Sequence, residues 1–243
     1  MTTPFLSIII PAFNEEHRLP RTLEKIFAFL DEQSYSAEVL IVENGSNDGT
    51  FEIAQEFAKQ RKRLHVYREM KRGKGNAVRR GMLEAQGEYR FLCDADLSMP
   101  IAEVKKFLPP VLKDIDIAIA SREVQGAIRH NEPHYRHLTG RVFNTLIRLL
   151  ILPELQDTQC GFKCFCADVA EDIFRYQTLT GWSFDVEILY IAQRKGYVIR
   201  EIPINWYFKA DTKISVLQDS WQMFLDLLTI RRNARRGLYD SKN

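Results

Sequence analysis

Two aspartates separated by one residue, Asp94 and Asp96, follow the short apolar run 89–93. On an extended strand, residues two apart point to the same side, and Ala95 keeps the space between them small. Neighbouring carboxylates repel and raise each other's pKa values unless a cation or donors neutralise them. Carboxylate oxygens are the ligands that Mg²⁺ and Mn²⁺ prefer, with water and substrate phosphates completing the coordination. The pair therefore predicts a divalent-cation site that handles a phosphorylated substrate.

A basic, glycine-rich loop precedes the predicted helix that begins near residue 77. The loop reads Lys71-Arg72-Gly73-Lys74-Gly75-Asn76. Helix N-termini attract anions, so this loop is suited to a diphosphate, with Lys74 as a candidate ligand. It lacks the spacing of a Walker P-loop. The loop supports phosphate binding but does not establish it.

The first apolar run ends in Pro11-Ala12-Phe13-Asn14-Glu15-Glu16, where a dinucleotide fold carries Gly-x-Gly-x-x-Gly. The absence of glycine argues against a nicotinamide dehydrogenase. An aromatic ring next to a carboxylate suits a nucleoside, with Phe13 stacking and Glu15 accepting hydrogen bonds. A helix cap by Asn14 or Glu15 is the alternative. The second loop, 43–50, likewise has two interpretations: it binds the nucleobase, or it is an ordinary turn.

The elements that position these loops alternate along the first half of the chain. Short apolar runs predict buried strands at 6–11, 39–42, 89–93 and 115–120. Helical periodicity fills the intervals between the first three strands. Such alternation predicts an α/β fold with a largely parallel sheet and helices on both faces. Ligands of these sheets bind at the carboxyl ends of the strands, where the four loops lie.

The second half is less regular. Residues 121–133 are polar and predict a loop, followed by a helix from Tyr135 and a strand pair at 197–208. A last amphipathic helix carries Trp221 and Phe224, which we expect in the core, and arginines, which we expect at the surface. These arginines are Arg231, Arg232, Arg235 and Arg236. We predict a single domain over 1–243, with a donor-binding half at 1–120 and an acceptor-binding half at 121–243.

The composition and the distribution of apolar residues argue against several classes of protein. The 34 basic and 32 acidic residues give a formal charge of +2, so the chain lacks the basic field of a nucleic-acid binder. No window approaches the roughly 18 apolar residues of a membrane span, and residues 1–6 lack a basic region followed by a long apolar stretch, so we expect neither a membrane span nor a secretory leader. The cysteines lie in or beside apolar segments, which favours buried thiols in a reducing compartment over disulfides or zinc. We therefore expect a cytoplasmic protein.

Seven motifs together resemble family 2 glycosyltransferases of the GT-A fold. The resemblance is greatest to the dolichyl-phosphate glucose synthase and polyprenyl-phosphate mannose synthase group, and it covers nearly the whole chain. The motifs are Ile10-Pro-Ala-Phe-Asn-Glu-Glu, Arg72-Gly-Lys-Gly, Asp94-Ala-Asp, Ser121-Arg122, Asp157-Thr-Gln-Cys-Gly-Phe-Lys163, Trp182-Ser-Phe-Asp-Val-Glu187 and Glu201-Ile-Pro-Ile-Asn-Trp206.

The resemblance implies a role for each matched residue. A nucleotide-sugar donor is held by residues that contact the nucleoside, base or diphosphate: Pro11, Phe13, Glu15, Val42, Asn44, Lys74, Asp94 and Ala95. Mg²⁺ or Mn²⁺ is held by Asp94, Asp96 and Ser98. The groups that carry the reaction are Asp96, Arg122, Arg136 and Lys213, the three cations facing donor and acceptor phosphates.

The implied reaction is inverting transfer of a hexose, glucose from UDP-glucose, to a polyprenyl or dolichyl phosphate. Glu43-Asn44 replaces the two aspartates usual in the family, which affects the choice between uracil and guanine because Asn44 can also donate. Tyr207 stands where the mannose synthases have an arginine, and glucose-type relatives also lack that arginine. Because a phosphate acceptor is already an anion, it needs no general base.

Two other functions remain open from the sequence. One is a family 2 enzyme with a soluble or polysaccharide hydroxyl acceptor, for which Asp157 is the candidate base. The other is a non-catalytic module that binds a nucleotide sugar. A lipid acceptor implies contact with the inner face of a membrane, either through the last helix and its arginines or through an anchoring partner protein.

Overall fold

The computed structural model describes residues 3–110, 113–209 and 216–240. For residues 134–139, 142–143 and 216–220, which lie in helices, it describes the backbone but not the side chains. The strands are β1 (Leu6–Ala12), β2 (Ala37–Glu43), β3 (Leu64–Arg68), β4 (Tyr89–Leu92), β5 (Ile117–Ser121), β6 (Ile128–His130), β7 (Lys163–Cys166), β8 (Ile199–Pro203) and β9 (Asn205–Tyr207). The helices are α1 (Leu19–Asp31), α2 (Thr50–Gln60), α3 (Lys74–Glu84), α4 (His134–Leu150), α5 (Ala167–Arg175), α6 (Phe184–Arg194) and α7 (Val216–Arg235), with a 3-10 helix at Ile101–Phe107.

The central sheet has seven strands in the order β3-β2-β1-β4-β7-β5-β8. All its pairings are parallel except those of β7, which runs antiparallel to both neighbours. The prediction of an α/β fold with a largely parallel mixed sheet is therefore confirmed. Because β7 runs in reverse, its first residue, Lys163, pairs with Leu92 at the end of β4. The loop before β7 thus reaches the same edge of the sheet as the loop after β4.

Both faces of the central strands are covered, as continuous apolar runs require. Ile8 and Ile10 face one apolar cluster, formed with α1 and the 3-10 helix, while Ile9 faces a second cluster with α3, α5 and α6. Helix α1 begins with a proline in its first turn, where the missing N–H costs nothing. These packed helices fix the strand ends, and so the loops that follow them.

Two expectations about the second half were wrong. The polar stretch 121–133 contains β6, which pairs in parallel with β9 in a separate two-stranded sheet. Trp221 is 65 % exposed rather than packed in the core. Helix α7 instead buries the stripe formed by Met223, Leu227, Ile230 and Ala234. Trp221 lies on the opposite side of the helix from this stripe, because successive positions are rotated by about 100°.

The cysteines are free thiols, and Cys93, Cys160 and Cys164 are buried, as predicted. Burial raises the pKa of Cys160 to about 12, which keeps it in the thiol form. The four arginines at the end of α7 are exposed, also as predicted. Among the helices described, none has both the length and the apolar character needed to cross a membrane.

Candidate active site

The acidic pair lies in a turn just beyond β4. The strand ends at Leu92, and Leu97 donates its backbone N–H to the Asp94 carbonyl while adopting a positive φ of 45°. The argument from strand alternation was therefore wrong, because Asp94 and Asp96 are not strand residues. Both carboxylates nevertheless act on one neighbour, since both raise the pKa of Lys74. The turn, not the strand, brings the two charges to one site.

Lys74, the first residue of α3, neutralises Asp94. Its Nζ lies 2.7 Å from Asp94 Oδ1. Burial alone would lower the pKa of Lys74, but the charge of Asp94, followed by those of Asp185 and Asp96, raises it above its usual value. The lysine is therefore fully charged at neutral pH. The structure thus joins the basic loop to the acidic pair, which the sequence treated as separate features.

Asp96 is oriented by the serine two residues later. Its carboxylate accepts hydrogen bonds from the backbone N–H of Ser98 at 2.8 Å and from the Ser98 hydroxyl at 2.9 Å. Lys209 donates to the backbone carbonyl of Asp96. Within the described residues, no three His, Cys, Asp or Glu side chains form a metal cluster. Two carboxylates and a hydroxyl fit an ion such as Mg²⁺, which keeps positions for phosphates and water.

Gly161, in the loop before β7, packs directly against the Asp94 carboxylate. A Cβ atom added there would lie 1.9 Å from Asp94 Oδ2 and 2.5 Å from its Cγ. The backbone on either side is held by the buried Cys160 and Phe162. The partly exposed Asp94 carboxylate would therefore give way rather than the core. The absence of a side chain at residue 161 is a condition for the position of Asp94.

We expect Gly161→Ala to damage the site without unfolding the protein. The displaced Asp94 should lower turnover by about 100-fold, the order expected for a misplacement near 1 Å. Turnover, Mn²⁺ affinity and thermal unfolding would be measured together. Gly140→Ala is the matched control, because an added Cβ there meets no atom of the described residues within 4 Å. Unchanged Mn²⁺ affinity and turnover in Gly161→Ala would show that the position of Asp94 is unimportant.

Of the residues predicted to hold the nucleoside, Pro11 lies within β1, and Phe13 and Glu15 lie just beyond its end. Phe13 is partly exposed, and the Arg72 guanidinium lies 5.9 Å from its ring centroid. Glu15 is mostly buried and forms an ion pair with Arg18 at 2.8 Å. Its backbone N–H donates to Thr50 Oγ1 at 2.7 Å. The first and second loops are therefore tied together at the carboxyl edge of the sheet.

Val42 and Asn44 were predicted to line the nucleobase. In the structure they contact other parts of the protein and do not line an open site. Val42 is completely buried in β2. The Asn44 amide donates to the carbonyls of Glu69 and Lys71, at 3.0 and 2.8 Å, and its oxygen accepts from Gly73 N at 2.8 Å. These bonds hold the loop that carries Lys74. An aspartate could not donate to the two carbonyls, which explains the asparagine at this position physically.

Arg122, predicted to face phosphates, is bound to Asp157. Arg122 Nε and Nη2 donate to the two carboxylate oxygens at 2.7 and 2.9 Å, and the Arg122 backbone N–H adds a bond at 2.9 Å. Asp157 is completely buried. Burial raises the pKa of Asp157, but the charge and hydrogen bonds of Arg122 outweigh it and hold the pKa below its usual value. A carboxylate held in this way is a poor general base.

Two of the predicted site residues lie outside the described part of the structure. Lys213 lies in the segment 210–215, outside the described residues, and the side chain of Arg136 on α4 is outside them too. Sequence reasoning missed Lys209 and left Asp185 without a role. Asp185 is buried and pairs with the fully buried Lys163, with 2.6 Å between Lys163 Nζ and Asp185 Oδ1. The unexplained motif 182–187 was the available signal for Asp185.

Fold and site together define a glycosyltransferase of the GT-A kind, with an acidic pair, a lysine and the loop after β1 at the carboxyl edge of a mixed sheet. The model of glycosyl transferase family 2 matches residues 7–174. The chain belongs to that family, and the resemblance of its motifs is confirmed.

Two relatives, each longer than this chain, give the comparison its detail. The chain is 35 % identical over 257 residues to the dolichyl-phosphate beta-glucosyltransferase of Saccharomyces cerevisiae, covering 97 % of the chain and 76 % of the yeast enzyme. It is 32 % identical over 252 residues to the human enzyme of the same name, covering 98 % of the chain and 78 % of that protein.

A solved structure supports the fold. The glucosyl-3-phosphoglycerate synthase of Mycobacterium tuberculosis, in complex with Mn²⁺ and UDP-glucose, superposes with a TM-score of 0.65 at 17 % identity. The match covers 93 % of this chain and 79 % of that one. At this level of identity the likeness establishes the GT-A architecture.

Proposed function

We propose that the chain transfers glucose from UDP-glucose to the phosphate of a polyprenyl or dolichyl carrier and inverts the anomeric carbon. The observation that carries the proposal is the state of Asp157. A hydroxyl acceptor needs a base to remove its proton, and Asp157, the candidate base, is engaged by Arg122 through both oxygens. A phosphate acceptor is already an anion and needs none. The dolichyl-phosphate beta-glucosyltransferases among the relatives use an acceptor of this class.

The donor half, 1–120, is proposed to bind UDP-glucose at the edge formed by β1, β2 and β4. Phe13 and Glu15 flank the nucleoside, and Lys74 faces the diphosphate. Asp94, Asp96 and Ser98 would hold Mg²⁺ or Mn²⁺, the latter being the ion in the structurally similar synthase. Such an ion would stabilise the charge that develops on the departing diphosphate. Lys209, beside Asp96, adds positive charge to the same region.

The acceptor half, 121–243, is proposed to position the attacking phosphate. Arg122 uses Nε and Nη2 for Asp157, which fixes the plane of the guanidinium and leaves its remaining nitrogen to face the acceptor. Its guanidinium also lies 5.5 Å from the Trp206 ring centroid, which further restrains it. Arg136 and Lys213 complete the proposed set. Fixed cations of this kind raise the rate by orienting the nucleophile before reaction.

A transfer assay separates the candidate functions. Purified protein with Mn²⁺ and radiolabelled UDP-glucose would be incubated with polyprenyl phosphate or with a glycan, and label would be followed into the organic phase. We expect label to appear in the lipid phase. Treating the enzyme with EDTA should abolish this transfer. Label in the glycan alone would establish the hydroxyl-acceptor alternative. Binding of UDP-glucose without any transfer would establish the non-catalytic module.

The outward face of α7 is proposed to rest on the inner face of a membrane. Trp221, Leu225 and Leu228 are exposed at helical spacing, and the exposed arginines follow in the next two turns. Apolar side chains beside basic ones suit a surface of anionic lipid headgroups. Trp221 on this face is a residue that sequence reasoning assigned to the core. Attachment through a membrane-anchoring partner protein is the alternative.

Trp221→Ser with Leu225→Ser should weaken binding to anionic vesicles by about tenfold or more, since both changes remove apolar surface that would be buried. Co-sedimentation with phosphatidylserine vesicles measures the effect. Val198→Ser is the control, because Val198, just before β8, is comparably exposed. Wild-type protein that does not bind the vesicles at all would favour the anchoring partner instead.

A further inference from the structure

The motif Trp182–Glu187 belongs to a segment, 177–187, that packs against the loop carrying Lys74. Gly75 donates its N–H to the Thr180 carbonyl at 2.8 Å, and Gln177 Nε2 donates to the Gly75 carbonyl at 2.9 Å. The contact leaves no space for side chains. A Cβ atom on Gly73, which has a φ of +128°, would lie 2.3 Å from the Thr180 carbonyl oxygen. The 177–187 segment therefore determines the path of the loop.

The segment is itself held rigidly by Glu187. This completely buried carboxylate accepts backbone N–H bonds from Thr178 at 2.9 Å and Leu179 at 2.7 Å. The Tyr239 hydroxyl donates to the same carboxylate at 2.7 Å, which ties the segment to the chain beyond α7. Charge-assisted bonds of this kind are stronger than neutral ones. The glutamate of the motif thus fixes the segment, and the segment fixes the loop.

Two other residues of the segment act on the Lys74 ammonium group. The Trp182 ring centroid lies 5.3 Å from Lys74 Nζ, within the range of a cation–π interaction. Asp185, buried nearby, adds a negative charge that acts on Lys74. Asp185 is in turn paired with Lys163. The order of charges is Lys163, Asp185, Lys74 and Asp94, so each buried charge has an opposite neighbour.

A divalent cation at Asp94 and Asp96 would compete with Lys74. It would share the Asp94 carboxylate, whose Oδ1 lies 2.7 Å from Lys74 Nζ, and would add two positive charges beside the ammonium group. In a partly buried site such repulsion is large. A diphosphate carries negative oxygens that bind both an ammonium group and a divalent ion. The ammonium group on its flexible stem can turn from the carboxylate to the diphosphate without movement of the rigid loop.

We infer that Lys74 is a built-in counter-ion, which holds Asp94 in the metal-free protein and moves to the donor diphosphate when a divalent cation occupies Asp94. Trp182 and Asp185 are the positioning residues that keep the ammonium group within reach of both partners. The inference deepens the proposed donor site and rests on the proposed function only for the diphosphate nature of the ligand. It requires neither a lipid acceptor nor sugar transfer.

Lys74→Met should therefore have opposite effects on two affinities. Without nucleotide, Mn²⁺ should bind about fivefold tighter or more, because a competing charge is removed. With saturating Mn²⁺, UDP should bind about tenfold more weakly, because a charge-assisted contact is lost. Titration calorimetry for UDP, with GDP in parallel, and electron paramagnetic resonance for free Mn²⁺ measure the two effects. Whichever nucleotide the wild type binds more tightly is the probe.

Trp182→Leu provides a second variant that removes only the ring beside the ammonium group. It should shift both affinities in the same directions as Lys74→Met, by a smaller factor. Lys59→Met is the matched control, since Lys59 is an exposed lysine of α2 paired with Glu56, and it should change neither affinity.

Specific outcomes overturn the inference. Mn²⁺ binding to Lys74→Met no tighter than to the wild type would exclude competition for Asp94. Undiminished nucleotide affinity in Lys74→Met would exclude movement of the Lys74 ammonium group to the diphosphate. Failure of the wild type to bind either nucleotide with Mn²⁺ would exclude it as well. A protein that shows both shifts but moves no glucose to lipid would refute the proposed function and leave this inference standing.

Discussion

Asp96→Asn should lower glucose transfer by about 1,000-fold, the effect of losing roughly 4 kcal/mol of transition-state stabilisation. The substitution keeps the shape of the side chain but removes the negative charge that a divalent cation needs. The local structure should survive. The asparagine oxygen can still accept from Ser98 N, and the Ser98 hydroxyl can accept where it now donates. Loss of transfer with an unchanged melting temperature therefore separates chemistry from folding.

Three measurements test this expectation: transfer of label to polyprenyl phosphate, Mn²⁺ affinity, and thermal unfolding. Asp31→Asn is the control, because Asp31 is a half-exposed surface residue paired with Arg61 and Arg63. Its transfer and Mn²⁺ affinity should match those of the wild type. If Asp96→Asn transferred glucose at the wild-type rate and with the same dependence on Mn²⁺, the assignment of Asp96 to the metal would be wrong.

The sequence predicted the first half of the fold well because its strands are buried on both faces. Continuous apolar runs such as those of β1 and β2 have few alternative interpretations. The strand β3 was missed, since only Leu64 in it is buried. The strand β6 was missed because it is three residues long and is formed by pairing with β9, a contact that local patterns do not encode.

Helix α7 shows a different limit. Its apolar residues form two stripes, one through Leu227 and one through Trp221, and periodicity alone does not say which of them faces the core. The structure selects the stripe of Met223, Leu227 and Ile230, with the larger Trp221 outside. Tertiary packing decides which stripe of α7 is buried. The sequence argument placed the residues that look most apolar in the core, and for Trp221 this was wrong.

For the site, the sequence predicted which loops converge but not which side chains use each other. Asp94 was recognised from its charge next to a buried run, and Lys74 from its glycine-rich loop. Their ion pair joins the end of β4 to the start of α3, and no spacing rule gives that contact. The same holds for Gly161, which shapes the Asp94 position from 67 residues away only because β7 runs antiparallel to β4.

Arg122→Met should lower the free energy of unfolding by about 3–5 kcal/mol at pH 7, because it leaves the completely buried Asp157 carboxylate without its counter-ion. The loss should depend on pH. In the wild type, Arg122 holds the folded-state pKa of Asp157 below its unfolded value, so this stability is present above about pH 4 and is lost as pH falls through the lowered pKa. In the variant, burial still raises that pKa, while the backbone N–H of residue 122 and the charge of Lys163 oppose it without the guanidinium.

The difference between wild type and Arg122→Met should therefore be largest near neutral pH and smaller near pH 4, where Asp157 of the variant is protonated and buried at little cost. Urea unfolding at the two pH values measures it. Asp157→Asn in the Arg122→Met background should recover part of the loss, since the buried charge is gone. Arg175→Met, which breaks an exposed pair with Glu171, should cost under about 1 kcal/mol at both pH values. An equal loss at pH 7 and pH 4 would mean that Arg122 stabilises the fold by packing, and that its hold on Asp157 is not what keeps this carboxylate from acting as a base.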